Sequence, residues 1–405
     1  MHNTLPSHSN QRFVPWYQRA GPWIGIGTNP GVVVLGGGLA ARLDGVTLIA
    51  ALAVGMAGVT ALAVAQGILG RRRRQALVAY AEHVFGTGWA AWLFGVFITF
   101  GMVGWFSFYV SLAGASLSNL LGMPGWIGPG MLAFFLAVTS RLGINRWNTL
   151  AWLTALFTLL TAFSVLTLTN PSIAWQTAPF DFSAFFTGVA TLVGYAIVFA
   201  TRAGDFTWDL QNDRDVVWVG LSLLIPAWFF LAIGVMLYLS VGHWNIADVL
   251  ARTRSAALAH IFLITATIAP ALSAMYSALL ASRRLFPVSD TGRLLLIAVT
   301  GALLGAFRFD TYLLTFLDVL AAIIPPALAL MLIAGFWPRW PPEQRPWRAW
   351  AWMAGALTGI ILKARAHPAY MFGAMAMSVA VVLGSRYIPP KPAPSPTSRN
   401  ERRKA

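Results

Sequence analysis

The chain has 405 residues, of which 58% are hydrophobic and only 10% are charged. This composition predicts a polytopic membrane protein rather than a soluble domain. The chain contains no cysteine, which excludes disulfides, thiolate metal sites and cysteine nucleophiles.

Twelve apolar stretches follow one another along the chain. Most approach the roughly 20 residues that a membrane-spanning helix needs. In chain order they are 22–41, 46–69, 89–113, 127–143, 147–168, 184–204, 216–241, 256–281, 293–307, 312–337, 347–363 and 368–387. We therefore predict an all-α polytopic membrane protein of about twelve transmembrane helices. The flanks are expected to be a polar tail at 1–21 and a disordered, proline-rich basic tail at 389–405.

The basic residues lie mostly on one side of these predicted spans. If residues 1–21 are cytoplasmic, all but six of the 28 Lys and Arg fall in cytoplasmic segments. The exceptions are Arg42, Arg252, Arg254, Arg308, Lys363 and Arg365. By the positive-inside rule, this asymmetry predicts a multi-pass protein of the inner (plasma) membrane with both termini in the cytoplasm. The net charge of +15 then reflects orientation and contacts with anionic lipids of the bilayer, and no nucleic-acid partner is expected.

The first span is interrupted by residues that disfavour a helix. Its sequence, WIGIGTNPGVVVLGGGLAAR, places Thr28, Asn29 and Pro30 near the middle. Proline lacks a backbone donor, and glycine admits conformations that other residues avoid. A break at membrane depth survives only where it is buried in protein or lines a wet cavity, and in secondary transporters such breaks form the binding site. The alternative is that Gly27 and Gly31 only allow close helix packing.

Spans one to five and six to ten can be matched with inverted topology. The sixth span, FFTGVATLVGYAIVFATRAGD, is the counterpart of the first and also carries glycine, at Gly188, Gly194 and Gly204. Two interrupted helices at corresponding positions indicate a transport site. We therefore expect inverted repeats at 22–168 and 184–337, with two further helices at 347–388.

Short motifs recur in a characteristic order along the chain. They are Gly36-Gly37-Gly38, Gly55–Arg72, Phe85-Gly86, Gly104-Trp105-Phe106, Asp205-Phe206-Thr207, Tyr276-Ser277-Ala278 and Ile324-Pro325-Pro326. In this order and spacing the chain resembles the nucleobase:cation symporter-1 family, the cytosine, purine and hydantoin permeases, over residues 20 to 388. The resemblance implies a LeuT-like fold of five plus five inverted-repeat helices with two C-terminal helices. It also implies alternating access around a site at the membrane midplane.

The resemblance places a stacking site for a planar heterocycle on two spans. Trp105 matches the family's stacking tryptophan, although ordinary core packing is the alternative. Tyr109, one turn later, takes the place of a polar side chain. The family's second stacking aromatic falls on Ala196, which Tyr195 and Phe199 flank. Aromatic faces are the usual way to hold a single base, with hydrogen bonds to its edge.

Polar contacts to the substrate are expected from the first span. There the backbone of Thr28, Asn29 and Gly31 is available, and Asn29 is a candidate side-chain reader. The family's substrate-reading amides fall on Ala271 and Met275. Because few polar side chains are available to bind the substrate, we predict a substrate that is less polar than cytosine, or one that is bound largely through main-chain groups.

No cofactor is expected, and the coupling ion is Na⁺ or H⁺. The hydroxyls that bind sodium in the family fall on Ala269 and Pro270, so the family's sodium site is not reproduced. Other hydroxyls lie nearby, although such groups in an apolar helix usually bond to their own backbone. They are Thr265, Thr267, Ser273 and Ser277.

Two ionisable residues lie inside predicted spans. Asp318 is a candidate for proton coupling, because a carboxylate at membrane depth is usually paired, protonated or functional. It is equally able to bond Thr315 or a neighbouring helix. His260 is a weaker candidate that faces the outer vestibule in one interpretation.

A charged pair follows the sixth span at its predicted cytoplasmic end. Asp205 is expected near Arg202 and Arg214, as part of the cytoplasmic motif. The family has proline and arginine where this chain has Gly204 and Trp208. We favour an interfacial ion pair or a helix-end ligand over a proton relay for this aspartate.

These patterns predict a secondary active permease, functional as a monomer, rather than an enzyme. Its small-molecule substrate is expected to be a flat nitrogen heterocycle such as cytosine, a purine, a hydantoin or a hydroxymethylpyrimidine. An amino-acid or amine permease of the same superfamily and a transporter-like sensor or scaffold remain open. A membrane-embedded enzyme is disfavoured, because the chain has neither HExxH nor GxSxG and its histidines lack metal-ligand spacing.

Overall fold

The computed structural model describes residues 13–166, 179–242, 246–337 and 345–385, and these residues form a helical bundle. The helices in chain order are α1 (Tyr17–Gly27), α2 (Pro30–Ala40), α3 (Gly45–Arg73), α4 (Leu77–Phe85), α5 (Trp89–Leu121), α6 (Ile127–Ser140), α7 (Ile144–Leu166), α8 (Phe182–Thr201), α9 (Gly204–Thr207), α10 (Asp213–Val241), α11 (Ile246–Thr253), α12 (Ala256–Ser282), α13 (Asp290–Ala306), α14 (Leu313–Phe336), α15 (Arg345–Ala364) and α16 (Tyr370–Ser385). A 3₁₀ turn, Phe309–Tyr312, precedes α14. The tail predicted at 389–405 and residues 1–12 of the tail predicted at the N-terminus lie outside the described residues.

Each of the twelve predicted spans coincides with one helix or, for the first span, with the pair α1–α2. Within the described ranges, α3, α5, α8, α10, α12 and α14 are long and apolar enough to cross a membrane, and the bent pair makes a seventh. The predicted all-α, multi-pass class is confirmed. We call the side on which α1 begins the inner side, and the opposite side the outer side.

The first span breaks where the sequence predicts. The axes of α1 and α2 differ by 43°. Asn29 is the N-cap of α2, and its amide oxygen accepts a hydrogen bond of 2.8 Å from the Gly31 backbone nitrogen. Pro30 is the first residue of α2. A backbone N–H at this position has no partner within the helix, so the missing donor of proline costs no hydrogen bond. The Asn-Pro pair therefore ends one helix and starts another.

The sixth span is continuous, and the prediction that it is interrupted is wrong; the eighth span is also one continuous helix. α8 runs unbroken to Thr201, and α12 runs through Pro270. Glycine inside a helix costs only about 1 kcal/mol, and α8 contains no proline to remove a ladder hydrogen bond. Its glycines serve packing instead, because a Cβ on Gly188 would lie 2.8 Å from Leu43. In α12 the groups that proline leaves free can be satisfied by neighbouring helices.

The packing of the helices follows the inverted repeat. α2 of the first span lies against α10 of the seventh, and α8 of the sixth span lies against α3 of the second. Two more matched pairs, α5 with α12 and α6 with α13, are also in contact. The break of the first span lies beside α8, α10 and α12, inside the bundle.

Close approach of α2 and α10 depends on two glycines. A Cβ on Gly36 would lie 2.2 Å from the carbonyl oxygen of Leu231, and one on Gly234 would lie 2.0 Å from that of Val33. No larger residue fits such backbone contacts. Gly36 of the first span thus serves helix packing, as does Gly27 against the Leu223 carbonyl, while Asn29 and Pro30 make the break.

Candidate functional site

Asn29 is buried at the break and connects it to α8. Its amide nitrogen donates a hydrogen bond of 2.5 Å to the carbonyl of Ile26. The Tyr195 hydroxyl lies 2.6 Å from that nitrogen and 2.9 Å from the amide oxygen. Thr28, the C-cap of α1, is also buried. Both partners of the Asn29–Tyr195 pair are predicted from the sequence but the pair itself is not, because residues 166 positions apart carry no local signal.

Trp105 is the centre of a cluster of aromatic rings. The indole is fully buried, and its centroid lies 5.1 Å from that of Phe199, 5.3 Å from that of Tyr195 and 5.7 Å from that of Tyr109. The Tyr109 ring is stacked on the indole, whereas Tyr195 meets it edge to face. The structure therefore brings together the four aromatic residues that the sequence analysis singled out.

Two hydrogen-bond donors inside this cluster have no partner among the described residues. They are Nε1 of Trp105 and the hydroxyl of Tyr109. The Tyr109 hydroxyl interacts with Tyr195 only at a geometry outside that of an ordinary hydrogen bond. Buried donors are almost always satisfied, so both groups are available to bind an acceptor.

An outer-side cavity of about 290 Å³ reaches this cluster. At its inner end it touches Gly31 and Tyr195, and at its mouth Arg42 and Asp310. Its volume is at the lower end of that of small-molecule sites. The wall is the phenol of Tyr195, and the Trp105 indole lies behind it.

The predicted positions without polar side chains do not line this cavity. Ala196, Ala271 and Met275 are all buried. A methyl group or thioether at these places offers no edge hydrogen bond to a substrate. The polar side chains at the inner end of the cavity and in the aromatic cluster include those of Asn29, Tyr195, Trp105 and Tyr109.

Three of the α12 hydroxyls named from the sequence are engaged within the protein, whereas the buried Ser277 hydroxyl has no partner among the described residues. Thr265 donates to the carbonyl of Ile261 at 2.8 Å, and Thr267 to that of Leu263 at 3.0 Å, as expected for threonine in an apolar helix. Ser273 instead accepts a hydrogen bond of 2.5 Å from the Arg202 guanidinium. That contact was not predicted.

Arg202 and Asp205 are buried in the protein and do not form an interfacial ion pair. Asp205 accepts a hydrogen bond of 2.9 Å from the Leu77 backbone nitrogen at the start of α4, so it is a helix-end ligand. Burial raises the pKa of Asp205 to about 6, although the Leu77 bond and the Arg202 charge lower it. Arg214 is exposed.

Asp318 and His260 lie away from the cavity. The Asp318 carboxylate pairs with the Lys363 ammonium at 2.9 Å, and the two side chains are 43% and 41% exposed. This is the neighbouring-helix alternative for Asp318. His260 is partly buried, and it does not line the outer cavity.

Neither a protein-family profile nor a curated protein sequence matches this chain. Solved structures do. One of them is Mhp1 in a closed conformation with bromovinylhydantoin bound, described as a nucleobase-cation-symport-1 family transporter. It matches with a TM-score of 0.73 and 16% identity, over 98% of this chain and 99% of that chain. The inward-facing conformation of Mhp1 matches with a TM-score of 0.70 and 16% identity, over 99% of this chain and 98% of that chain. MhsT in complex with L-phenylalanine matches with a TM-score of 0.63 and 14% identity, over 93% and 100%. The chain therefore has the LeuT-type fold of Mhp1, as the sequence resemblance implied.

Proposed function

We propose that this protein is a secondary transporter that moves a small planar nitrogen heterocycle across the membrane by alternating access. The fold is that of transporters, and the helix break lies inside the bundle, where such proteins bind their substrates. The substrate class includes hydantoins, purines and pyrimidines such as cytosine. The protein would lie in the inner membrane as a monomer, with the inner side facing the cytoplasm.

One observation carries the proposal. A buried aromatic cluster holds two unpaired donors, Trp105 Nε1 and the Tyr109 hydroxyl, beside the amide of Asn29. A flat heterocycle with ring carbonyls supplies both an aromatic face for stacking and the acceptors that these donors lack. Access from the outer cavity requires Tyr195 to move aside, since its ring forms the inner end of that cavity.

The break also disfavours an amino acid as substrate. In transporters of this type, free backbone N–H groups at a broken helix bind the substrate carboxylate. Here Pro30 has no N–H, and the Gly31 and Val32 nitrogens already donate to the side chain and the carbonyl of Asn29. The start of α2 therefore offers no free donor in its first three residues to a carboxylate.

Matched tryptophan variants test the site. Trp105→Phe removes the unpaired indole donor, whereas Trp352→Phe removes an indole that is equally buried and donates to the Ile323 carbonyl at 3.0 Å. On stability alone, Trp352→Phe should be the more damaging change, because it leaves an acceptor unsatisfied. Heterocycle binding should show the opposite order.

The measurement is the shift in melting temperature of the detergent-solubilised protein with hydantoin, hypoxanthine, cytosine and L-phenylalanine. A ligand of the folded state raises this temperature. We expect a heterocycle to do so for the wild type and Trp352→Phe but weakly for Trp105→Phe. Counterflow of the same labelled compound in liposomes then distinguishes a transporter from a sensor. Stabilisation by phenylalanine alone, or equal loss of binding in both variants, would contradict the proposal.

A further inference from the structure

The sodium site that the family resemblance implies does not fit this chain. Hard cations are bound by several oxygen ligands. The positions that supply hydroxyls in sodium-coupled members are here Ala269 and Pro270, both buried in α12. A Cβ on Gly25 of α1 would lie 2.3 Å from the Ala269 Cβ and 3.4 Å from Pro270. α12 therefore contributes neither a side-chain oxygen nor a gap at this place, and these residues do not fit a sodium ion.

A guanidinium meets α12 one turn closer to the inner side. Arg202, the C-cap of α8, is fully buried. Its two terminal nitrogens donate to the carbonyl and the hydroxyl of Ser273, the latter at 2.5 Å. The same guanidinium lies over the rings of Phe199 and Phe206, at 4.7 and 5.0 Å from their centroids. Phe199 in turn contacts Trp105, so this positive charge lies directly below the candidate substrate site.

This buried charge has no salt bridge within the described ranges. Asp205 influences it only through space, because its carboxylate caps α4. One guanidinium nitrogen, Nε, also has no described partner. A buried charge without an ion pair is strongly disfavoured unless hydrogen bonds and aromatic faces compensate. A fold that retains one beside its central site has a use for the charge.

We propose that Arg202 is a built-in cation that replaces the coupling sodium ion, joins the end of α8 to α12, and makes transport independent of sodium. The transport part of this statement rests on the function proposed above, whereas the absence of sodium binding does not. A tethered guanidinium never leaves with the substrate, so its charge adds no sodium-gradient driving force. Transport would then follow the gradient of the substrate itself or of protons.

Sodium alone is the first probe. The melting temperature of the full-length protein in detergent is measured in NaCl, KCl and choline chloride at equal ionic strength. We expect the same temperature in all three salts, because no site binds sodium in the folded state. A rise that saturates with NaCl and is absent in KCl would overturn the proposal, whether or not any substrate is known.

Variants of Arg202 are the second test, by counterflow of labelled hydantoin in liposomes. The wild type should exchange equally fast in sodium and potassium buffers. Arg202→Met removes the charge at similar length and should slow exchange at least tenfold, whereas Arg202→Lys retains the charge and should recover part of the rate. Equal rates in Met and Lys variants would contradict the role of the charge.

A serine pair controls for folding defects. Ser273→Ala removes a hydroxyl that Arg202 contacts, and Ser282→Ala removes one of equal burial on the same helix, which donates to the Leu279 carbonyl. Only Ser273→Ala should slow exchange, by several-fold, without changing the melting temperature more than its control. Equal exchange by the two serine variants would overturn the link between α8 and α12. If the wild type exchanges no heterocycle, the proposed function fails, while the salt comparison still decides whether sodium binds.

Discussion

The inner and outer sides of the candidate site are closed in different ways. On the inner side, buried polar contacts tie the start of the chain to the segment after α8. Arg19 of α1 forms a buried ion pair with Asp209, and the backbone of Val14 donates to the Asp209 carbonyl at 3.1 Å. Nearby, Asp205 caps α4 at Leu77. Several charges are thus held away from water on this side.

The outer side is closed by fewer contacts, and they lie near the surface. A cavity passes Arg42, which is exposed, and ends at the Tyr195 ring. The polar contacts at its mouth are those of Asp310 with Arg308 and with the Ser111 hydroxyl. Beyond them, one phenol separates the cavity from the Trp105 cluster.

This difference indicates which side opens more easily. In the proposed cycle, opening the inner side separates buried charges, and each charge left unpaired costs several kcal/mol, on the order of 3–5. Opening the outer side requires the movement of a side chain and partly exposed groups. In the proposed cycle, the outer side would therefore open more easily than the inner side.

The largest effect is expected from breaking the inner seal at Asp209. Asp209→Ala leaves the Arg19 guanidinium buried without its carboxylate, which should lower the free energy of unfolding by about 3–5 kcal/mol. The control is Asp213→Ala, whose ion pairs with Arg71 and Arg72 are partly exposed and should contribute about 1 kcal/mol or less. Melting temperatures in detergent compare the two. Equal losses would show that the buried pair does not hold the inner side.

The same variant should expose the inner route to reagents. Because the chain has no cysteine, Ser277→Cys on α12 would be a unique and buried label site. Its reaction with a maleimide should be faster when combined with Asp209→Ala. An unchanged rate would mean that the inner seal survives without the ion pair.

A smaller effect is expected on the outer side, at Asp310. Burial alone would raise the pKa of this carboxyl, but hydrogen bonds from Arg308 and Ser111 outweigh it, so the pKa lies below its usual value. A carboxyl with a lowered pKa stabilises the fold above its unfolded pKa of about 3.9, and this contribution is lost as the pH falls through the folded pKa. Asp310→Asn should therefore cost about 1.5–3 kcal/mol near pH 7 and progressively less below about pH 4.

Melting temperatures across pH measure this difference. The control is Asp44→Asn, since this exposed carboxylate makes no side-chain bond to the helix that it precedes. A difference in melting temperature between Asp310→Asn and the wild type that stays constant down to pH 3 would contradict the ionised contact at the cavity mouth.

The next effect concerns the phenol between the cavity and the cluster. Tyr195→Phe removes one hydroxyl from Asn29, whose amide keeps its bonds to Ile26 and Gly31. We expect heterocycle binding to weaken by about 1 kcal/mol, roughly fivefold in Kd. Tyr80→Phe is the control, because it removes a hydroxyl of equal burial that donates to the Met331 carbonyl at 2.8 Å, away from the cavity. Tyr80→Phe should lower the free energy of unfolding by a similar amount and leave Kd unchanged. A Kd that is weakened by Tyr80→Phe and not by Tyr195→Phe would show that Tyr195 is not part of the site.

The sequence predicted those features that depend on neighbouring residues. Hydropathy windows predicted every helix that coincides with a span, and the Asn29–Pro30 pair predicted the break, because proline and a capping side chain act within one turn. Motif spacing predicted Trp105 and Tyr109 on one face of α5. Glycine was a poor guide: the same residue type that accompanies the break in the first span only allows close packing in α8.

Features that depend on distant partners were not predictable. The hydropathy pattern places Arg202 at the end of an apolar span, where basic residues are usually interfacial. Its burial follows from the approach of α12, which supplies Ser273 from 71 positions away. The pairing of Tyr195 with Asn29 likewise depends on the contact between two spans. Such pairs require the tertiary arrangement, which one sequence does not contain.

The smallest effect is expected at Asp318, and it decides whether the outer half of the protein contains a proton-coupling group. Its pair with Lys363 is partly exposed, so Asp318→Asn should change the free energy of unfolding by less than about 1 kcal/mol. Because this carboxylate lies away from the cavity, heterocycle exchange in liposomes should stay within about twofold of the wild type, with the same dependence on pH. Lys363→Gln, which removes the other partner, should behave alike. A pH dependence that disappears in Asp318→Asn but persists in Lys363→Gln would instead assign proton coupling to this carboxylate, and the route through the outer side would then involve more than the movement of Tyr195.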